Sequence, residues 1–227
     1  MYRKLIISLI IVFILLGLFL AGNITNLFSI QRIKDNALQP AMHKGNFCIT
    51  SKLKSFTYND VVCFSMPSSS NSIELVLRRV AGLEGDTIEF NDGYLLRNGS
   101  MVDNPEDVMF NYYVRAENVG DFNVLRKMKL IPVIKGDSVI LSATYSTFNE
   151  LSRHYVMHTI ERTNKQKDPE IYGSTDENHW NGHNDGPFVV PKGKCFVVSD
   201  NRDNYKDSRH WGCIPLSGIK ATKVRIK

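Results

Sequence analysis

The strongest constraint in the sequence is an apolar segment near its start, Leu5 to Gly22, whose eighteen residues include no charged side chain. As a helix that rises about 1.5 Å per residue, this segment would be roughly 27 Å long, close to the hydrocarbon thickness of a bilayer. The alternative is a cleaved secretory signal, but the apolar region of such a signal usually has only about 7–15 residues. Because Ala21-Gly22-Asn23 is also a poor cleavage site, the pattern favours a retained transmembrane anchor over residues 5–22.

Charges on either side of the apolar segment predict its orientation. Arg3 and Lys4 precede it, and positive residues hold the adjoining end of a helix in the cytoplasm. Residues 1–4 would then form a cytoplasmic tip, with the body of the protein on the outer face of the membrane. Arg32 and Lys34 follow the segment and reduce this charge asymmetry. No other segment reaches spanning length, so the sequence predicts a single-pass membrane protein.

The composition is that of a folded, moderately basic protein, with 43% hydrophobic and 22% charged residues and a net charge of +5. A positive balance can favour nucleic acid or an anionic membrane surface. The basic residues are spread along the chain without a dense block, as in ordinary surface charge and in the flanks of a membrane segment. The sequence therefore predicts the membrane as a partner and excludes nucleic acid.

Beyond the apolar segment, the sequence predicts a mainly β body. Asn91-Asp92-Gly93 predicts a tight hairpin turn, and residues 148–153 predict a short helix. From 105 to 186 the composition is polar and irregular, so we expect a smaller cap region inserted into a β core of residues 23–104 and 187–227. Short runs of β-branched and aromatic residues, typical of strands, cover residues 47–50, 61–64, 74–80, 87–90, 94–96, 139–141, 155–157, 188–190 and 195–199.

Cysteine and histidine residues predict no metal site. His179 and His183 are four residues apart, but the surrounding Asn and Gly residues favour a loop over a ligand-bearing helix. On the outer face of a membrane, cysteines can form disulfides, and four cysteines allow three pairings. Their apolar sequence surroundings are equally compatible with buried free thiols. The four are Cys48, Cys63, Cys195 and Cys213, and their spacing matches no zinc ribbon.

Four segments carry a resemblance to a known family. In chain order they read PAMHKGN (40–46), YNDVVCF (58–64), RRVAGLEGD (78–86) and SDNRDNYKDSRHWG (199–212). In the same order they resemble the motifs P-T-L-x-x-G-D, G-D-I-V-V-F, K-R-V-x-G-L-P-G-D and G-D-N-R-x-N-S-x-D-S-R-x-x-G. These motifs belong to the signal peptidase I family of serine–lysine membrane endopeptidases. A loop from His179 to Gly193 also resembles one that is common in Bacteroidetes-type members.

The resemblance implies a signal-peptidase-like β core with an inserted cap and one N-terminal transmembrane helix. It places the protein in the inner membrane of a bacterium, with its body on the periplasmic or outer face. Active members cleave signal peptides from exported preproteins, with a serine nucleophile activated by a neutral lysine. The family chemistry involves no cofactor and no metal.

Neither catalytic residue type is present at its family position. The nucleophile lies three residues before the proline of the first motif, and here that residue is Ala37. The general base directly precedes Arg79 and Val80, and here it is Arg78. A methyl group has no lone pair with which to attack a carbonyl, and a guanidinium with a pKa above about 12 accepts no proton. The resemblance therefore predicts that the family reaction has been lost.

Three supporting positions differ in the same direction. Tyr205 replaces the serine that would orient the lysine, Asp35 replaces the serine on the oxyanion side, and Leu38 replaces the methionine after the nucleophile. A negative charge at position 35 would oppose a developing oxyanion. What survives is the brace of the family site, in which we expect Asp207 to pair with Arg209 and Asp200 with Arg202. Its residues are Asp200, Asn201, Arg202, Asp207, Ser208 and Arg209.

Three functions follow from these observations. The first is a non-catalytic homologue that binds signal-peptide-like segments or partners an active signal peptidase. The second is an active peptidase with an unrecognised nucleophile, for which His43 and Cys48 are candidates, whereas Ser65-Met66-Pro67 imitates the nucleophile motif without its spacer residue. The third is a structural subunit of an export or surface assembly.

Overall fold

Short antiparallel strands are the main regular structure in the body of the protein. The computed structural model describes residues 2–53, 55–67, 72–115, 123–128, 130–155, 158–159 and 183–224. The helices are α1 (Tyr2–Leu27), α2 (Asn123–Lys127), α3 (Tyr145–Leu151) and α4 (Ser208–Trp211). The strands are β1 (Phe28–Arg32), β2 (Phe47–Ser51), β3 (Val61–Pro67), β4 (Ile73–Leu83), β5 (Thr87–Asn91), β6 (Tyr94–Arg97), β7 (Ser100–Met101), β8 (Phe110–Arg115), β9 (Val133–Lys135), β10 (Ser138–Ala143), β11 (His158–Thr159), β12 (Asp185–Val189), β13 (Lys194–Val198), β14 (Ile214–Pro215) and β15 (Ile219–Lys223).

These strands form three sheets. The largest has seven strands in the order β1-β2-β15-β3-β4-β13-β14, and two four-stranded sheets have the orders β12-β5-β6-β7 and β11-β8-β10-β9. The strands pair in antiparallel fashion in all three sheets. The prediction of a mainly β body is confirmed by these sheets.

Helix α1 precedes β1 directly, and its side chains are described from Ile6 to Ala21. Thirteen large apolar side chains between Ile6 and Leu20 are at least half exposed. Across the described part of the chain, no helix combines the length and the apolar content that a membrane crossing requires. The predicted transmembrane span stays a prediction.

The hairpin predicted at Asn91-Asp92-Gly93 joins β5 to β6. Asn91 pairs with Tyr94, and the two residues between them have positive φ angles of 51° and 80°. Two such angles in a two-residue loop match the right-handed twist of the flanking strands. The hairpin is confirmed.

The four strands β8 to β11 lie within the range predicted for the cap, and the division into domains stays a prediction. Their sheet, with α2 and α3, has its own apolar core, which includes Phe110, Leu141 and Leu151. Residues 116–122, 129, 156–157 and 160–182 of the predicted cap lie outside the described residues. Most of the strand predicted at 155–157 also lies outside the described residues. The same is true of the first part of the loop predicted from His179 to Gly193, including His179 itself.

The four cysteines have free thiols. In the large sheet, β15 lies between β2, which carries Cys48, and β3, which carries Cys63. Burial raises the pKa of the Cys63 thiol to about 11 and that of Cys195 to about 12. Both thiols are therefore protonated and unreactive at neutral pH.

Candidate functional site

The predicted site residues meet around the middle of β4, which carries Arg78 and Arg79 on opposite faces. Arg78 lies opposite Val62 of β3, and Arg79 lies opposite Val198 of β13. The turn after β1 supplies residues 35–38, and the segment after β13 supplies residues 199–211. Segments that are distant in sequence thus reach one region because β4 is an interior strand of the large sheet, between β3 and β13.

A single carboxylate connects the positions predicted for the base and the nucleophile. Asp35 Oδ2 accepts a hydrogen bond from Arg78 Nη1 at 3.2 Å. The other oxygen, Asp35 Oδ1, accepts from the backbone N–H of Ala37 at 3.1 Å. The two unusual charged residues of the site are therefore partners of each other, although 43 residues separate them.

Arg78 is held from several sides. Its Nε donates to the carbonyl of Lys206 at 3.0 Å, and its Nη1 also donates to the carbonyl of Leu77 at 2.7 Å. Its guanidinium carbon lies 5.6 Å from the centre of the Trp211 ring, within the range of a cation–π interaction. The side chain is only 4% exposed, whereas that of Asp35 is 36% exposed, so the cation is fixed and its anion faces the solvent.

Backbone hydrogen bonds fix Ala37 in a closed position. Its carbonyl accepts from the N–H groups of Asp200 at 2.7 Å and Asn201 at 3.0 Å. Neither Ala37 nor Leu38 has any exposed surface. A reacting carbonyl would therefore meet no accessible atom at position 37, and the N–H group there already binds a carboxylate.

Among the described residues, the Tyr205 side chain forms no hydrogen bond with Arg78, although the resemblance assigns an orienting serine to position 205. The contact comes from the carbonyl of the next residue, Lys206, while the Tyr205 carbonyl accepts from Ser199 Oγ at 3.3 Å. Sequence reasoning missed this carbonyl and Trp211. The position of Trp211 inside the 199–212 segment was the available signal, because an aromatic ring near a buried cation is a common partner.

Asp207, like Ser208 beside it in the brace, has no exposed surface. Its Oδ2 accepts from Arg209 Nη2 at 2.9 Å and from both the N–H and the hydroxyl of Ser199 at 2.9 Å. Burial by itself would raise the pKa of Asp207, but the charge of Arg209 and hydrogen bonds from His210, Arg209 and Ser199 outweigh it. The pKa of this carboxyl therefore lies well below its usual value. Asp207 also caps α4.

The expected pair of Asp200 with Arg202 is wrong. Asp200 instead receives two hydrogen bonds from Arg79, at 2.8 Å from Nε and 2.5 Å from Nη2, and Arg202 Nη2 binds Asp103 at 2.7 Å. The strand register explains the difference, because Arg79 lies opposite Val198 and the turn after β13 carries Arg202 towards Gly93 at the β5–β6 hairpin. Burial would lower the pKa of Arg79, but the hydrogen bond and charge of Asp200 raise it overall.

Two other brace residues, Ser208 and Asn201, form hydrogen bonds close to the turn that follows β13. Ser208 Oγ accepts from the N–H of Val197 at 3.0 Å. Asn201 Nδ2 donates to Gln39 Oε1 at 3.4 Å, which ties the turn to the segment after Ala37. The brace thus fixes the backbone around position 37.

The candidates for a relocated nucleophile have other surroundings. Cys48 is buried, and burial raises the pKa of its thiol, opposite to the shift that activates a cysteine. His43 is exposed, and its Nδ1 lies 2.9 Å from Gln39 Nε2. His183 lies 3.3 Å from Asp203. In the described part of the chain, no group of three or more His, Cys, Asp or Glu residues is arranged to hold a metal.

Comparisons with known proteins point to one family. The model of the family described as "Signal peptidase, peptidase S26" matches residues 3–226. Signal peptidase I of Aquifex aeolicus is 28% identical over 232 residues, which cover 96% of this chain and 81% of that protein. Signal peptidase I of Buchnera aphidicola subsp. Acyrthosiphon pisum is 26% identical over 206 residues, which cover 87% of this chain. The matched part spans only 60% of the length of that relative.

A solved structure was also found. A signal peptidase I from Enterococcus faecalis V583 matches with a TM-score of 0.36 at 20% identity, covering 75% of this chain and 97% of that one.

Proposed function

Because this chain belongs to the peptidase S26 family of signal peptidases, we propose that it is a non-catalytic member that binds signal-peptide-like segments at the membrane. The observation that carries this proposal is the bridge from Arg78 through Asp35 to the Ala37 N–H. The family reaction needs a nucleophile, a neutral base and a free donor for the oxyanion. In this protein a methyl group, a permanent cation and an occupied N–H stand at the corresponding positions.

The binding of an extended peptide is supported by the edges of the large sheet. β1 is an edge strand. The part of β4 from Ile73 to Leu77 pairs with β3 on one side, while the described pairing with β13 begins only at Arg79. Backbone groups along a free edge can pair with an added peptide strand.

A membrane location is part of the same proposal. The large apolar side chains of α1 from Ile6 to Leu20 are exposed all around the helix, and a helix that is apolar on every side requires an apolar environment. We propose that this helix anchors the protein in the bacterial inner membrane, with residues 1–4 in the cytoplasm and the body on the outer face. The protein would then bind its peptides close to the bilayer.

The direct test is a processing assay with the full-length chain in detergent micelles and a preprotein of an exported protein. We expect no cleavage during a period in which an active signal peptidase, as the positive control, processes the preprotein completely. Fluorescence anisotropy with the labelled signal peptide measures binding in the same preparation. Cleavage that disappears when one Ser, Cys or His is replaced would instead establish an active enzyme.

Restoring the family residues provides a sharper test of what blocks the reaction. We expect the variant Ala37→Ser/Arg78→Lys to remain inactive, because Asp35 would hold the new lysine in its charged form. Adding Asp35→Ser removes that carboxylate. Processing by the double variant would show that Asp35 is no block, and processing that appears only in the triple variant would identify it as one.

A further inference from the structure

We propose that His183 and Asp203 form a pH-sensitive latch, which an ion pair closes in mildly acid solution and which loosens as the pH rises above neutrality. The latch joins residues 183–185 to the turn that follows β13. Two backbone N–H groups of that turn donate to the carbonyl of Ala37, so the latch acts on the segment that fixes position 37. It is separate from the proposed function and does not depend on peptide binding.

The latch is an ion-pair contact in the structure. His183 Nε2 lies 3.3 Å from Asp203 Oδ1, and the two side chains are 20% and 11% exposed. Within the described part of the chain, Asp203 Oδ1 is shielded from solvent and accepts no hydrogen bond, whereas Oδ2 accepts from the N–H of Asn111 on β8 at 2.7 Å. A shielded carboxylate oxygen without a donor is unfavourable. A positive charge on the adjacent imidazole compensates for it, and the protonated ring carries an N–H on both nitrogens.

Residues 183–185 connect this contact to the β5–β6 hairpin. The carbonyl of His183 accepts from the N–H of Gly93 at 2.7 Å, and Asn184 Oδ1 accepts from the N–H of Asp92 at 3.1 Å. The imidazole ring lies against the same glycine, since a Cβ atom there would be only 3.0 Å from His183 Nδ1. The latch therefore ties three segments together, namely this hairpin, the turn after β13 and strand β8.

The surrounding charges favour a proton on His183 near neutral pH. An imidazole titrates at about pH 6.5, whereas carboxyl groups titrate near about pH 4, phenols near about 10 and guanidinium groups above about 12. The cations Arg202 and Arg209 oppose a charge on the ring, but each is paired with a carboxylate, Asp103 or Asp207. The other carboxylates of the surrounding elements favour a charged imidazole. The charged and titratable residues of these elements are Asp92 and Tyr94 in the hairpin, Arg202 and Asp203 in the turn, Asp185 on β12, Arg209 and His210 on α4, and Tyr112, Tyr113 and Arg115 on β8.

The sign of the response follows from the charged form of the ring. Below the pKa of His183 the imidazolium and Asp203 attract each other, and this attraction is lost as the pH rises through that value. His210 also titrates near neutral pH, but its Nδ1 lies 3.8 Å from Asp207 Oδ1, so it belongs to the cap of α4. We therefore expect residues 183–185 to open more often in mildly alkaline than in mildly acid solution.

The test is hydrogen exchange of single backbone amides in the full-length chain in detergent, at about pH 5.5 and about pH 8. The observed rates are divided by the intrinsic rates at each pH, so that only protection is compared. We expect the N–H of Gly93, which donates to His183, and the N–H of Asn111, which donates to Asp203, to be about two- to fivefold better protected at the lower pH, because a partly exposed ion pair shifts a local equilibrium by a factor of this size. The N–H of Asn98, which closes the far end of the same hairpin, should show no such change.

Variants assign the effect to the ion pair. His183→Gln removes the titrating ring and Asp203→Asn removes the carboxylate, and in each we expect equal protection of the Gly93 N–H at the two pH values. His210→Gln, the matched control, removes the neighbouring imidazole and should retain the pH dependence. Equal protection in the wild-type protein at both pH values would overturn the latch without any variant. A pH dependence that survives in His183→Gln, or an equal change at the Asn98 N–H, would overturn it as well.

Discussion

Arg78 and Asp35 illustrate, at the scale of single residues, how two substitutions compensate for each other. A buried cation without a partner is strongly destabilising, and the carboxylate at position 35 supplies that partner. The same carboxylate removes the donor that an oxyanion would need at Ala37. The pair thus stabilises the fold in the arrangement that, in the proposed function, blocks the family reaction.

This partnership can be measured by a double-mutant cycle of Asp35→Asn and Arg78→Met. We expect a coupling free energy of about 1 kcal/mol, because one partner is buried while the other is partly exposed and screened by solvent. Urea unfolding of the wild-type, both single variants and the double variant gives this value. Strictly additive effects of the two substitutions would show that the ion pair contributes nothing to stability.

Sequence reasoning at this scale could name residues where a motif fixes a position, and it failed where a partner comes from another strand. Ala37 and Arg78 were identified by their offsets from Pro40 and Val80. Their connection through Asp35 was not, because only the register of β3, β4 and β13 brings the turn after β1 to the face of Arg78. The wrong expectation for Asp200 has the same origin: residues two apart in a turn looked like partners, but the cross-strand neighbour Arg79 is closer.

At the scale of elements, the β5–β6 hairpin contains a glycine that two constraints require. Gly93 has a φ of +80°, and a Cβ atom there would lie 2.6 Å from Cε1 of Phe110 in the cap core. Gly99 has a similar φ of +76° but no atom within 4 Å of the same position. We expect Gly99→Ala to cost about 1–2 kcal/mol from backbone strain alone, and Gly93→Ala to cost about 1–3 kcal/mol more from overpacking. Urea unfolding tests the difference, and equal costs would contradict the predicted clash.

The short helix α4 depends on Asp207, which makes its stability sensitive to acid. The pKa of Asp207 is lowered in the folded protein, so its contribution is fully present above the unfolded-state value of about 3.9. That contribution is lost as the pH falls from about 4 towards the lower folded-state pKa, because the unfolded chain then binds a proton that the native state excludes. We expect Asp207→Asn to be less stable than the wild-type at pH 7 and the difference to shrink below pH 4. A difference that stays constant from pH 7 to pH 2.5, measured by urea unfolding, would contradict this assignment.

For the whole molecule, sequence pattern predicted the β body well and the arrangement of its sheets poorly. Short runs of β-branched and aromatic residues identified several strands, including β3 and β13. The insertion of the late strand β15 between β2 and β3 could not be predicted, because pairing between strands far apart in sequence depends on the packing of the complete core.

The junction between α1 and β1 leads to a prediction about attachment to the membrane. The outward face of the β1–β2 ladder continues the apolar surface of α1 through Phe28, Ile30 and Phe47, which are 41%, 72% and 69% exposed. If α1 is an anchor, these side chains lie at the membrane interface and strengthen attachment by burying further apolar area.

We expect the full-length chain to stay in the membrane fraction after alkaline carbonate extraction. We further expect a variant without residues 1–27 to bind vesicles weakly, and Ile30→Ser/Phe47→Ser in that variant to reduce this binding severalfold. Release of the full-length chain by carbonate would contradict the anchor, and vesicle binding unaffected by the two serines would contradict the interfacial role of the ladder.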